Sequence, residues 1–537
     1  MKWVFHVTIL FALLGGCLKG QTGGYKISGR VVDDTTNTPL PKILVQISST
    51  QQRDTAQFAI TDSNGSFSFA NLSPGKYSLL AGRSDSGMQL YQGEEGFSTA
   101  IVVGPELDSE HIVFPLQKPG SISGTILDEE GTGLRGAQVH LYWQHMASGR
   151  LEVSGRGMQV TKTSGQFRFG HLQPGTYYLA VQAHPWYTQS YFPSTNAPDA
   201  AQNSSSQQFD VAYPLTYYAD ATDFSSASPI TVTKGGTATV QMTLRPVPAV
   251  HIRLPDSQRK SGTNFNTSVV ALGPNGQKIP MHPFHWSSGD HQELGGIAPG
   301  RYEVSIQTFE NGRPQTIGAK TMDLQNGSEV DLSSTSRVNI SGHITFEGKP
   351  RPTDPLTLHL IRPEGGMLVQ APIGADGTFQ AQSDTASPGR YRLALSNPEG
   401  FHFQSVDAKG GKWINGFLEV PEGANVQLSI IASAGSTALD GVVLRDDKPV
   451  PGAMVLLLPE NSDRNDLTRR DQSDSDGTFT LPEVVPGRYR VLAIENGHGL
   501  AYQDPALIKP YLPLSQVVTV SAGKQPTLKV NVQGRLP

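Results

Sequence analysis

The chain has 537 residues, 37% of them hydrophobic, and a formal net charge of −5. This length far exceeds the roughly 100 to 150 residues of one typical domain, so several independent cores are expected. Nothing in this weak negative charge favours binding of nucleic acid, and no nucleic-acid partner is expected. The 57 glycines and 38 prolines favour short strands joined by many turns.

The first 21 residues have the pattern of a signal peptide. Lys2 precedes an apolar run from Val4 to Leu14, and small residues follow. The run is shorter than the roughly 20 apolar residues that a transmembrane helix needs. We therefore predict an exported protein, either displayed at the cell surface or outer membrane or secreted.

Cys17 is the only cysteine in the chain and follows Leu14-Gly15-Gly16 directly. This short sequence resembles a bacterial lipobox, which makes Cys17 a candidate lipid anchor and the expected route of membrane contact. The alternative is an ordinary signal peptide cleaved near Gly20, and both interpretations stay open. In either case the mature chain has no internal disulfide, so packing and hydrogen bonds must stabilise its domains.

A tetrapeptide Pro-Gly-x-Tyr recurs five times, at intervals of 89 to 125 residues. An interval of this size equals one small β-sandwich domain, so the repeat predicts five modules. In each copy, proline and glycine favour a turn, and the tyrosine can bury its ring and return its hydroxyl to the backbone. The five copies begin at Pro74, Pro174, Pro299, Pro388 and Pro486.

Two further elements accompany four of the five copies. A turn with Gly65, Gly165, Gly377 or Gly477 precedes a segment with Phe two residues later, which predicts a tight turn followed by a core strand. An opening segment of the type Ile-Ser-Gly, or Leu-Asp-Gly in the fifth copy, begins these modules. No segment of the mature chain keeps the helical spacing of apolar residues over three turns, so helices should be scarce.

Together these motifs resemble the carboxypeptidase regulatory-like domain. The resemblance implies an all-β protein, a semi-extended tandem array of about five seven-stranded Greek-key sandwiches of the transthyretin-like or immunoglobulin-like type. Starch-binding-like folds and the B-type repeats of surface adhesins share the pattern. The third module departs from it, because it lacks both the opening Ser-Gly and the Asp-Gly-x-Phe segment.

The motif positions predict the domain boundaries, which we place at proline- or glycine-containing joins. Prolines and short linkers restrict the swing of neighbouring modules, which favours a semi-extended rod. The predicted segments are a signal peptide at 1–21, then modules one to five at 25–117, 118–248, 249–337, 338–434 and 435–537.

The sequence lacks the zinc motif of the carboxypeptidases, the common hydrolase motifs and the nucleotide-binding motifs. We therefore predict no enzymatic activity, no catalytic residue, no metal site and no cofactor. Two weak metal candidates are a histidine-rich segment of module three and an acidic turn of module five, and coincidence explains each better. The first comprises His282, His285, Asp290 and His291, and the second contains Asp474 and Asp476.

Module two is rich in aromatic residues, and its spacing to the next copy leaves room for an insertion. Exposed rings provide flat apolar faces for sugars or proteins, so these residues are the candidate ligand-binding set. The alternative is that they pack the insertion onto its own sandwich. The candidate residues are Trp186, Tyr187, Tyr191 and Tyr217.

These observations predict an exported, non-enzymatic binding or scaffold protein of the bacterial cell surface, with carbohydrate or protein as the partner. Two other classes remain as alternatives: a metal-dependent hydrolase with an atypical site, and a purely structural spacer or adhesin stalk. The sequence leaves the ligand and the oligomeric state open.

Overall fold

A computed structural model gives the fold of most of the chain. It describes residues 24–51, 56–83, 87–190, 210–255, 265–288, 291–310, 313–325, 328–329, 338–352, 355–362, 368–381, 386, 388–396 and 400–536. These residues form an array of β-sandwiches with one four-residue α-helix and several short 3-10 helices. The predicted all-β fold class is confirmed.

Module one consists of a three-stranded sheet, β4-β1-β8, that faces a sheet of order β3-β2-β5-β6, in which β7 also pairs with β5. The inward side chains of the two sheets form one buried cluster. The strands are β1 (Tyr25–Asp33), β2 (Leu44–Ser49), β3 (Ala56–Ile60), β4 (Ser66–Leu72), β5 (Gly75–Arg83), β6 (Gly87–Leu90), β7 (Ile101–Val103) and β8 (Ile112–Leu116).

Module two repeats this plan with sheets β12-β9-β17 and β11-β10-β13-β15, in which β16 also pairs with β13 and β14 pairs with β18. Two 3-10 helices, Trp186–Ser190 and Phe224–Ser226, lie in its insertion. The strands are β9 (Gly120–Leu127), β10 (Gln138–Ala147), β11 (Arg150–Val160), β12 (Gln166–Leu172), β13 (Gly175–Gln182), β14 (Val211–Ala212), β15 (Thr216–Tyr217), β16 (Ile230–Val232), β17 (Thr237–Thr243) and β18 (Val247–Pro248).

Module three has two four-stranded sheets, β22-β23-β19-β26 and β21-β20-β24-β25. A 3-10 helix at Pro274–Gly276 joins β20 to β21. The strands are β19 (Val250–Pro255), β20 (Phe265–Leu272), β21 (Lys278–Met281), β22 (Phe284–Ser288), β23 (His291–Ile297), β24 (Gly300–Glu310), β25 (Arg313–Leu324) and β26 (Ser328–Glu329).

Module four has sheets β30-β27-β35-β32 and β29-β28-β31-β34-β33 around its own buried cluster. The strands are β27 (Asn339–Glu347), β28 (Thr357–Ile361), β29 (Val369–Pro372), β30 (Thr378–Gln380), β31 (Gly389–Leu395), β32 (Phe401–Lys409), β33 (Lys412–Ile414), β34 (Phe417–Val420) and β35 (Asn425–Ala434).

In module five, β43 pairs with both β36 and β41, so the two layers join into one sheet. The one α-helix among the described residues, α1 (Pro505–Ile508), lies in its connections, as do the 3-10 helices Ser462–Leu467, Gly497–Gly499 and Lys509–Leu514. The strands are β36 (Thr437–Arg445), β37 (Lys448–Pro449), β38 (Met454–Pro459), β39 (Arg469–Gln472), β40 (Thr478–Val484), β41 (Gly487–Ile494), β42 (Gln516–Val520) and β43 (Leu528–Gln533).

One pairing scheme recurs in all five modules, including module three. The first strand pairs antiparallel with the strand that precedes the Pro-Gly turn and parallel with the last strand of its own sheet. The opening glycine permits the parallel contact, because a Cβ at Gly124 would lie 2.4 Å from the carbonyl oxygen of Val240. Module three therefore has the same fold although its sequence lacks the opening Ser-Gly and the Asp-Gly-x-Phe segment.

The turn motifs act as predicted. Gly165 has a φ of +72°, in the left-handed region that glycine tolerates best. After the Pro-Gly turn, the tyrosine hydroxyl donates to the carbonyl four residues earlier in four modules. These bonds run from Tyr77 to Ser73 (3.0 Å), Tyr177 to Gln173 (2.7 Å), Tyr302 to Ala298 (3.0 Å) and Tyr489 to Val485 (2.8 Å).

The arrangement of the modules differs from the semi-extended rod that the linkers suggested. Module one contacts module five directly, and the backbone N–H of Gln503 in module five donates to Gly149 of module two at 3.0 Å. Arg464 of module five donates to the carbonyl of Phe403 in module four at 3.0 Å. The short joins do restrict the modules, but the angles that they fix bring the two ends of the array together.

Candidate functional site

The aromatic insertion of module two presents one large ring to solvent. Trp186 opens the 3-10 helix that follows β13, and 68% of its side chain is exposed. Its ring meets the ring of Tyr187 edge-on, with 5.6 Å between centroids. An exposed indole beside a second ring can bind the apolar face of a ligand.

Glu129, on the turn after β9, holds this helix in place. The Tyr187 hydroxyl donates to Oε1 of Glu129 at 2.7 Å, and the Tyr213 hydroxyl donates to Oε2 at 2.5 Å. Desolvation works against the carboxylate, but the two phenol hydrogen bonds outweigh it and lower the pKa of Glu129. Burial and the same carboxylate raise the pKa of both tyrosines. The three side chains form a charge-assisted clamp that fixes where Trp186 projects.

The other predicted ligand residues do not extend this surface. Tyr217 is only 3% exposed and lies in the core that modules two and three share, against Phe224 at 5.7 Å between centroids. Burial raises its pKa to about 12. The structure therefore places Tyr217 in packing, which was the alternative reading of the aromatic residues. Tyr191 and Cys17 lie outside the described residues.

The histidine-rich segment of module three does not form a metal site in the part that can be described. His282 lies near Gln182 of module two, with 3.4 Å between Nδ1 and the amide nitrogen, while His285 points to solvent. Asp290 and the side chain of His291 lie outside the described residues. Within the described ranges, no three His, Cys, Asp or Glu side chains form a group that could hold a metal ion.

A different histidine joins modules two and three. Nε2 of His251 lies 2.7 Å from the Asp210 carboxylate, and Nδ1 lies 2.9 Å from the Glu293 carboxylate. The hydrogen bond to Asp210 is the main reason that the pKa of His251 is raised. Asp210 belongs to module two, whereas His251 and Glu293 belong to module three. The ion pair between His251 and Asp210 therefore joins the two modules.

The acidic turn of module five docks onto module one. The Asp474 carboxylate lies 2.5 Å from Nζ of Lys76 and accepts the backbone N–H of Ala100 at 3.0 Å. Ser475 accepts the backbone N–H of Val102 at 2.8 Å. A lysine ammonium thus occupies the place where the calcium interpretation put a metal, and the turn is a contact between modules.

A buried ion pair lies beside this turn. Arg470 on β39 pairs with Glu95 of module one, and their side chains are only 3% and 9% exposed. The guanidinium also lies 4.5 Å from the centre of the Phe97 ring, at the distance of a cation–π contact. Another guanidinium nitrogen of Arg470 lies 3.1 Å from Nδ1 of His498, whose pKa burial lowers.

The side-chain amide of Gln472 completes the contact between modules one and five. The Gln472 amide donates to the Gln92 carbonyl at 2.7 Å and to the Thr99 hydroxyl at 2.9 Å. The adjacent Asp471 accepts the backbone N–H of Thr480 at 2.7 Å. Burial raises the pKa of Asp471 from 3.8 to about 6, and the nearby Asp474 adds to the shift.

This raised pKa predicts a pH-dependent stability. The folded chain binds the Asp471 proton more tightly than the unfolded chain, so the stability that protonation gives is complete below about pH 4 and is lost as pH rises through about 6. Asp471→Asn keeps an acceptor for Thr480 without a charge. We expect it to raise the free energy of unfolding at pH 7.5 by about 1–3 kcal/mol and to have little effect at pH 4.

Urea unfolding of Asp471→Asn and wild type at pH 4, 5, 6 and 7.5 measures this difference. Asp466→Asn is the matched control, because Asp466 lies near the same strand and its carboxylate pairs with Arg464 at 3.0 Å. That substitution should lower stability at neutral pH. A gain from Asp471→Asn that is equal at every pH would show that the carboxyl group does not titrate as described.

The contact between modules one and five was missed by the sequence reasoning. A signal was present in the sequence. β39 reads Arg-Arg-Asp-Gln, without the alternation of polar and apolar residues that is usual in an edge strand. Gln472, the last residue of β39, and Asp474 are buried polar residues, at 1% and 7% exposure. Buried charges and amides need partners, and here the partners come from residues almost 400 positions away.

The fold and these surfaces define a multi-module β-sandwich protein whose described residues show contacts between modules. The model of the carboxypeptidase regulatory-like domain matches residues 26–95, 121–245 and 438–533, which is more than half of the chain. The chain belongs to this family, whose domain is a non-catalytic type. The matches fall in modules one, two and five, the modules whose motifs were most complete.

No curated protein matches the chain. Solved structures with some similarity include the minor pilin of Streptococcus agalactiae, with 17% identity, TM-score 0.22, and coverage of 42% of this chain and 97% of that one. The full-length major pilin RrgB of Streptococcus pneumoniae has 10% identity, TM-score 0.17, and coverage of 95% and 100%. The shaft pilin SpaA of Lactobacillus rhamnosus GG has 9% identity, TM-score 0.19, and coverage of 42% and 99%.

Values this low say nothing about what the chain binds. Among the residues that the structure describes, no helix has the length and apolar character needed to cross a membrane. The lipid anchor at Cys17, the signal peptide and the domain boundaries stay predictions.

Proposed function

We propose that this chain is an exported, non-enzymatic scaffold that binds a carbohydrate or protein ligand through the surface around Trp186. The observation that carries the proposal is the combination of an exposed indole with a neighbouring support held by hydrogen bonds. Trp186 is 68% exposed, while the neighbouring Tyr187 is fixed by a charge-assisted hydrogen bond to Glu129. A rigid exposed ring loses little conformational entropy when a ligand binds.

The contacts between modules support a scaffold role. Modules one and five contact each other through an ion pair, and Gln182 of module two donates to the Pro280 carbonyl of module three at 2.9 Å. Such contacts hold surfaces on different modules at fixed distances. A ligand bound at module two would thus keep a defined position relative to the rest of the chain.

Trp186→Ala tests the proposed surface. We expect wild-type protein to bind one or more glycans on an array, or to be retarded in a starch gel, and Trp186→Ala to lose about 2 kcal/mol of binding free energy, roughly 30-fold in affinity. Glu129→Gln should cause a smaller loss, because the amide keeps one acceptor but cannot accept from both phenols with full charge.

Met158→Ser is the matched control, because Met158 is an exposed apolar residue on another face of the same module, at 48% exposure. It should bind like wild type. Equal binding by wild type and Trp186→Ala would show that the ligand does not use this surface. Failure of wild type to bind any glycan, followed by a pull-down without any captured protein, would favour the structural spacer.

A further inference from the structure

The edge strand β3 of module one has an exposed apolar face. β3 is the terminal strand of its sheet and pairs with β2 among the described strands. Its outward side chains include Phe58 and Ile60, which are 60% and 69% exposed. The strand reads Ala-Gln-Phe-Ala-Ile and contains no charged residue and no proline. Natural proteins usually protect a sheet edge with charged residues or proline, because an unprotected edge can pair with another chain.

The corresponding strands of the other modules carry this protection. In each module, this strand is a sheet edge whose neighbour also pairs with the strand that follows the Pro-Gly turn. Lysine, arginine and aspartate resist strand pairing by their charge, and proline cannot donate to a neighbouring strand. The protecting residues are Arg156 on β11, Lys278 and Pro280 on β21, Pro372 on β29, and Arg469, Arg470 and Asp471 on β39.

Module five shows that this face of the strand is suited to docking. Counted back from the turn glycines Gly65 and Gly477, Phe58 corresponds to Arg470. Counted in the same way, Ile60 corresponds to Gln472. In module five these two positions are 8% and 1% exposed, because module one covers them. The same positions on β3 are apolar and uncovered, so their partner should be apolar and uncharged.

We propose that β3 pairs antiparallel with β3 of a second copy of this chain, with Phe58 at the centre. In that register Phe58 lies opposite Phe58 of the second copy, Gln57 lies opposite Ala59, and Ala56 lies opposite Ile60. Every opposing pair is uncharged, so the strand is complementary to itself. The side chains at 56, 58 and 60 share one face, and the larger sheets of the two copies become one continuous sheet.

The size of the contact sets its strength. Five residues from each copy bury much less than the roughly 800 Å² per partner that stable complexes bury. The central aromatic pair and the new backbone hydrogen bonds add to the association. The dimer should therefore form in a concentration-dependent equilibrium. Its contact on module one is separate from the ligand-binding surface proposed for module two.

Sedimentation of the full chain, with Cys17→Ser to remove its only thiol, tests the association. The mass should rise from monomer toward dimer between about 1 and 200 µM. The double variant Phe58→Lys and Ile60→Lys should stay monomeric, because four new charges would meet at the strand pair. Both residues are exposed, so the fold should keep its thermal transition.

The control places the same charges on the protected edge of module two. Met158 and Val160 occupy the positions that correspond to Phe58 and Ile60, and they are 48% and 53% exposed. Met158→Lys with Val160→Lys should dimerise as wild type does. A wild-type chain that stays monomeric over the whole range would refute the proposal, as would a dimer that survives the β3 substitutions or is lost equally in the control.

Disulfide trapping tests the register. Residues opposite each other in an antiparallel pair have Cβ atoms about 4.5–5.5 Å apart, near the separation of a disulfide. In the Cys17→Ser chain, Phe58→Cys should form a covalent dimer under mild oxidation much faster than Gln57→Cys, which lies opposite Ala59 on the other face. Equal rates for Phe58→Cys and the module-two control Met158→Cys would overturn the pairing.

Discussion

Arg470→Met is expected to separate modules one and five and to lower the free energy of unfolding by about 3–5 kcal/mol. The substitution leaves the Glu95 carboxylate, with 9% of its side chain exposed, without the guanidinium that neutralises it. It also removes the cation–π contact with Phe97. Glu95→Gln should also be destabilising, because it leaves the buried Arg470 guanidinium, whose side chain is 3% exposed, without its carboxylate.

A double-mutant cycle isolates the ion pair. The double variant Arg470→Met with Glu95→Gln should lose clearly less stability than the sum of the two single variants, since no unpaired charge stays buried. Urea unfolding measures the stability, and small-angle X-ray scattering measures the radius of gyration, which should increase in Arg470→Met. Additive losses together with an unchanged radius would contradict a contact that depends on this pair.

The control is an ion pair of the same module that faces solvent. Arg488 lies 2.8 Å from Glu460, and the two side chains are 63% and 39% exposed. Arg488→Met should therefore cost less than about 1 kcal/mol and leave the radius of gyration unchanged. Both variants remove the same charge. The difference between their losses of stability therefore measures how much burial of the ion pair contributes.

Tyr177→Ala is expected to destabilise module two by about 3–5 kcal/mol, the usual cost of deleting a buried aromatic ring. Tyr177 is 0% exposed, and its hydroxyl donates to the Gln173 carbonyl at 2.7 Å. Tyr177→Phe keeps the ring and loses the hydrogen bond, so its cost should be about 1 kcal/mol. Differential scanning calorimetry of the full chain should show one shifted transition among those of the five modules.

Tyr77 provides the comparison, because it makes the same bond in module one from a half-buried position. Its hydroxyl donates to the Ser73 carbonyl at 3.0 Å, and its ring packs at the margin of the core. Tyr77→Ala should cost less than Tyr177→Ala, while the two Phe variants should cost similar amounts. Equal losses for the two alanine variants would mean that ring burial does not set the cost.

Much of the fold was predictable because its causes are local. Turn glycines such as Gly165 must adopt positive φ, and the tyrosine of each Pro-Gly-x-Tyr repeat bonds to a carbonyl four residues away. These requirements act within a few residues, so they leave a readable pattern in the sequence. The repeat by itself therefore predicts five sandwiches and indicates the family.

Some of the surface chemistry was also predictable. Trp186 was a candidate ligand residue from its aromatic neighbourhood, and the structure leaves it exposed. The support from Glu129 could not be predicted, because 58 residues separate it from Tyr187. Tyr217 looked equivalent to Trp186 in sequence but is buried where modules two and three meet.

The sequence by itself determined the number of modules, their turns and their strand pattern, because these follow from short-range backbone geometry and side-chain alternation. Only the tertiary structure decided that module three has the same pairing scheme without the opening Ser-Gly and the Asp-Gly-x-Phe segment. It also decided that Asp474 meets a lysine of module one and that β3 is the terminal strand of its sheet among the described residues. Such contacts depend on the angles between modules, which are set by packing between residues far apart in the chain.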